Sequence, residues 1–118
     1  MNNDEKDSMI LGAILSAGDE YRIRRGMFVS AEAFTQYACC AIGAGVLYAG
    51  IPPEEIVGSS AISQFMAKYA VSENYAIGVS DGFEGPGGGV CYGVYSSSSP
   101  DYLRGYAVGE IVAREVLK

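Results

Sequence analysis

The chain has 118 residues, 49% of them hydrophobic and 19% charged, which is the size and balance of one globular domain and not of a disordered segment. It carries a net charge of −6 and contains no histidine. Ser-His-Asp and Cys-His nucleophilic mechanisms are thereby excluded, as are histidine-containing zinc sites. Nucleic acid and anionic membrane surfaces are poor partners, because both call for a basic face.

Residues 1–6 read as a frayed polar start. The helical spacing of Met9, Ile10, Ala13, Ile14 and Ala17 predicts a first helix over residues 7–17, capped by Asp7 or Ser8 and ended by Gly18. Residues 21–29 mix aromatic, β-branched and basic types around Gly26, which suits a short hairpin or an irregular connection. A second helix is expected over 32–49, with Ser30 as cap and Gly50, Pro52 and Pro53 as stop. Its stretch from Ala38 to Leu47 is apolar all round, the mark of a helix at the centre of a domain.

One turn is expected at 54–57, then a third helix over 60–69 with Ile62, Phe65, Met66 and Tyr69 on one face. Ser72 caps a fourth helix that carries Tyr75, Val79 and Phe83 and ends in the turn region 81–85. Residues 85–99 read as a flexible loop rich in glycine and serine, with a short extended piece at 90–95. The last helix has Ser99 as cap, Pro100 at its first position, and Arg114 and Lys118 near its C-terminal end. The fold expected is therefore all-α or nearly so. It is a single helical domain over 1–118, with four to five short helices around a buried apolar central helix and room for one small β-hairpin near 21–29.

Two helices share one spacing. Tyr75-x-x-Gly78-x-x-x-Gly82 recurs as Tyr102-x-x-Gly105-x-x-x-Gly109, and in each the named positions fall on one helix face. A helical glycine costs about 1 kcal/mol against alanine, so four of them imply a compensating gain. Close packing of the two helices, or packing against Gly43 and Gly45, supplies one. Room for a ligand over bare backbone supplies another.

Three pieces of the chain, Cys40-Ala41-Ile42-Gly43-Ala44, Asp81-Gly82-Phe83-Glu84-Gly85 and Gly105-Tyr106-Ala107-Val108-Gly109, resemble small phage and bacterial proteins that carry such a helix, turn and closing helix. The resemblance spans residues 37–112. It implies an accessory protein of a mobile element and brings no activity and no catalytic residues.

Four stretches carry residue types suited to chemistry. Cys39-Cys40 sits mid-helix among alanines, without a base or cation, and reads as buried and inert. Asp81 and Glu84 could offer oxygen ligands to a hard cation, but they lack the EF-hand pattern and read as solvated carboxylates at a helix end. Gly85-Pro86-Gly87-Gly88-Gly89 lacks the lysine and serine or threonine of a phosphate loop and reads as flexible. Tyr21-Arg22-Ile23-Arg24-Arg25 gathers three of eight basic residues into four positions. If extended, it puts Arg22 and Arg24 on one face, where two guanidinium forks beside Tyr21 could hold a phosphate and stack its base. The candidate ligand-binding residues are Tyr21, Arg22, Arg24, Arg25 and Tyr102. No catalytic residue, metal or cofactor is expected.

Three cysteines, two of them adjacent, fit no disulfide framework, and the acidic start is unlike a signal peptide, so a cytoplasmic protein is expected. The apolar run 38–51 is too short and glycine-rich to span a bilayer. A homodimer would give so short a chain more core. The function expected first is a non-enzymatic accessory protein that binds and inhibits a host protein. The alternatives are a sponge for a nucleotide-like signal and a carboxylate- or metal-dependent enzyme.

Overall fold

The computed structural model describes residues 1–24, 29–32, 36–56, 60–85 and 99–117. The fold is nearly all-α. Among the described residues, α1 (Asn3–Ala17) leads into three short strands, β1 (Arg22–Ile23), β2 (Val29–Glu32) and β3 (Gln36–Cys39). There follow α2 (Ala41–Tyr48), a 3-10 turn (Pro53–Glu55), α3 (Ser60–Tyr69), α4 (Glu73–Glu84) and α5 (Pro100–Val116).

The start of the chain is not frayed. Asn2 caps α1 with its side chain on the Glu5 N–H, and the Glu5 carboxylate answers on the Asn2 N–H, closing a capping box. The helix thus begins four residues earlier than the apolar spacing suggests, and Asp7 is freed from capping.

The second helix is also shorter than expected. It begins at Ala41, and the residues before it form β3, the middle strand of a sheet ordered β1-β3-β2. β3 pairs antiparallel with β2, Val29 opposite Cys39 and Glu32 opposite Gln36, and parallel with β1, Arg22 opposite Ala38. The antiparallel pair is therefore 29–32 with 36–39, not a hairpin within 21–29, and the segment at 22–23 supplies the third strand. An apolar run without amphipathic alternation does not distinguish a buried strand from a buried helix, which is why the boundary was invisible. The expectations for 86–98, and for Arg25, fall outside the described residues.

α2 is the centre. Every residue from Ala41 to Leu47 is buried, and the helix packs against α1, α3 and α4. Ile10 and Ile14 of α1, Ile42 and Val46 of α2, Phe65 of α3, and Val79 and Phe83 of α4 fill the core around it. Gly45 admits the Phe65 ring, since a Cβ there would lie 2.7 Å from Phe65 Cε2. The Tyr69 hydroxyl donates to the Gly45 carbonyl, tying α3 to α2.

Candidate functional site

A groove of about 380 Å³ opens where α1 hands over to β1, beside the last turn of α5. Gly18, Tyr21, Arg22, Ile23, Arg24 and the α5 end at Val116 and Leu117 line it. Local hydrogen bonding sets its edge. The Tyr21 N–H donates to Ala17 O at 2.8 Å, finishing the turn after α1, and the Arg24 N–H donates to Cys39 O at 2.7 Å, fixing β1 on β3. Ile23 is buried against the core while Arg22 is exposed and Arg24 half-buried. That alternation is the two-residue period of an extended strand, and it puts both arginines on the side away from Ile23.

Three of the ligand residues nominated from the sequence, Tyr21, Arg22 and Arg24, thus meet in one groove. Tyr102 does not join them. Its hydroxyl donates to Asp81 Oδ2 at 2.8 Å, bracing α5 against α4. Burial, with the Asp81 bond second, pushes that hydroxyl up to about 12.

The glycine faces of α4 and α5 meet each other. A Cβ at Gly78 would lie 2.9 Å from Tyr106 N, at Gly105 3.0 Å from Val79 N, and at Gly109 2.7 Å from Phe83 N. A Cβ at Gly82 would come 3.0 Å from Tyr106 Cα. Backbone fills the space over these glycines, so this face holds no ligand. Gly45 faces Phe65 and Tyr69 instead.

A polar cluster with no local sequence signal lies beside that interface. Asp7 of α1 accepts from Tyr75 Oη at 2.8 Å and from Arg104 Nη2 at 2.8 Å and Nε at 3.2 Å. The Arg104 guanidinium stands 5.1 Å over the Tyr75 ring, and its Nη1 reaches Asp101 at 3.4 Å. Ser72 Oγ donates to Asp101 at 2.8 Å and accepts from the Tyr75 N–H, so the α4 cap belongs to the same network. The cluster sets one guanidinium between two carboxylates and ties three helices together. Its members lie as many as 97 positions apart, beyond the reach of any local spacing.

Cys39 and Cys40 are not mid-helix. Cys39 ends β3 and Cys40 is the N-cap of α2; both are free and buried. Burial pushes each thiol up to about 12, and for Cys40 the N–H groups of Gly43 and Ile42 pull against it. Neither is a thiolate at neutral pH. Glu84 is buried at 8% exposure, not solvated as its place at a helix end suggested. Among the described residues no group of three or more His, Cys, Asp or Glu side chains could hold a metal ion, and no helix is long and apolar enough to cross a membrane.

The buried thiols of Cys39 and Cys40, the buried phenol of Tyr69 and the half-buried phenol of Tyr102 give the fold an alkaline limit. Cys39 and Cys40 rise from 9.0, and Tyr69 and Tyr102 from 10.0, to about 12. Folding holds each group in its protonated form. Their contribution is therefore complete below pH 9 and lost as pH rises from there towards 12. Urea unfolding at stepped pH is expected to show stability unaffected by these groups from neutrality to pH 9 and falling beyond it. A flat profile up to pH 12 would contradict their burial.

No protein-family model matches the chain, and neither the curated proteins nor the solved structures give a significant match.

Proposed function

We propose that the protein is a non-enzymatic binding protein that captures a small, anionic, ring-bearing ligand of nucleotide type in the groove beside β1. The observation that carries this reading is the meeting of Tyr21, Arg22 and Arg24 over the α5 end. A chain of net charge −6 devotes two of its eight basic residues to this groove. Guanidinium forks suit phosphoryl oxygens, and a tyrosine ring offers a face for a base. Val116 and Leu117 add apolar surface, and the volume falls in the range of small-molecule sites. The two free, buried cysteines support a reducing compartment. In a mobile-element setting, such capture would withhold a signal from the host.

Native mass spectrometry of gently purified protein tests this. The expected result is an added mass of several hundred daltons that Arg24→Ala abolishes while the helical circular dichroism spectrum is retained. An apo mass, with no binding of nucleotides on addition, would overturn the reading. A co-purifying protein would shift the account to inhibition of a host protein.

A further inference from the structure

We infer that the outer face shared by α1 and α5 is a homodimer surface, and that its occupant is a second copy of this chain. A mainly apolar groove of about 250 Å³ runs between the two helices, lined by Leu11 of α1 and by Ala107, Val108 and Ile111 of α5. Leu103 stands beside it, one turn before Ala107, and is 53% exposed. The exposed residues Leu103, Ala107, Glu110 and Arg114 follow one another at helical spacing, so they form one stripe along α5. Gly105 and Val112, on the opposite side of the helix, are buried against the rest of the fold.

A single exposed leucine is ordinary on a protein surface. Here an apolar knob and an apolar hollow lie side by side on one face. That is what an isologous contact requires: a two-fold axis set between them carries Leu103 of each copy to the groove of the other. Charge then selects the occupant. The chain has a net charge of −6, so two copies repel over most of their surface. The rim of this face is balanced instead, with Asp7 and Glu110 acidic and Arg104 and Arg114 basic. Arg104 is held by Asp7 and Asp101, which leaves Glu110 and Arg114 as the exposed charges of the stripe. Two copies meeting here set the same mixed rim against itself, acid of one towards base of the other, without net repulsion. A strongly acidic or strongly basic partner gains no attraction from a neutral rim.

Sedimentation velocity of the full chain over a concentration series tests this. The expected result is a species of twice the chain mass that dissociates on dilution. Leu103→Asp should weaken it at least about thirtyfold, the loss of one interface hot spot, with the helical circular dichroism spectrum retained because the residue is exposed in the single chain. Glu110→Arg, which leaves the rim with three basic residues against one acidic, should weaken it about tenfold, and adding Arg114→Glu should restore it. Met9→Asp is the control. Met9 is 42% exposed and lies two positions from Leu11, on the other side of α1, so the dimer should be unchanged. A monomer throughout the series would overturn the inference. A dimer indifferent to Leu103→Asp, or broken equally by Met9→Asp, would overturn it too, since its interface would then lie elsewhere.

Discussion

Gly105→Ala is expected to lower stability by about 1–3 kcal/mol, although alanine is intrinsically the better helix former by about 1 kcal/mol. The added methyl would fall against the Tyr75 carbonyl and within 3.0 Å of Val79 N. Those atoms are backbone of a neighbouring helix, so no side chain can swing aside. Relief requires α4 and α5 to separate, and that breaks the Tyr102–Asp81 hydrogen bond and loosens Val79 and Val112 in the core. Gly12 is the internal control. It is a helical glycine with nothing within 4 Å of its would-be Cβ, so Gly12→Ala should raise stability by up to about 1 kcal/mol. Urea unfolding followed by circular dichroism reads both, and two glycine-to-alanine changes of opposite sign are expected. A neutral or stabilising Gly105→Ala would show that the helices do not meet backbone to backbone.

Asp7→Ala is the second large effect, with an expected cost of about 2–3 kcal/mol. One carboxylate accepts three hydrogen bonds, from a tyrosine whose residue is 1% exposed and from two nitrogens of Arg104. Its removal strands the Tyr75 hydroxyl and leaves Arg104 with the longer Asp101 contact and the Tyr75 ring among the described residues. The pair itself is about a quarter exposed, so the Coulombic part is screened and most of the loss comes from the unmade bonds. A double-mutant cycle checks the assignment. Arg104→Ala should cost clearly less in the Asp7→Ala background than in the native one, because the two residues share their main interaction. Strict additivity would mean that the clamp contributes nothing.

The helices of the second half were legible because their signals are local. Ser72 caps α4, its side chain accepting from the Tyr75 N–H, and Pro100 occupies the first turn of α5 behind Ser99. Ile62, Phe65, Met66 and Tyr69 repeat at helical spacing through α3. The first half was harder. The residues of β3 run without a break in polarity into α2, and the strand is specified by its partners at 22–23 and 29–32, which a local pattern does not reveal. Asp7 looks like a helix cap because an acidic residue stands before an apolar repeat, yet the true cap, Asn2, lies in a stretch too polar to be read as helix. The groove was half visible. Tyr21, Arg22 and Arg24 stand out as basic residues in an acidic chain, whereas Val116 and Leu117 reach the same place only through the docking of α5.

The most direct test of the groove is a nitrogen-15 chemical-shift titration of the full chain with adenosine 5′-monophosphate. Saturable shifts are expected to concentrate at Gly18, at residues 21–24 and at Val116 and Leu117. Shifts centred instead on the Asp7, Ser72 and Arg104 cluster, or the absence of any saturable shift, would contradict the assignment of this groove as the binding site.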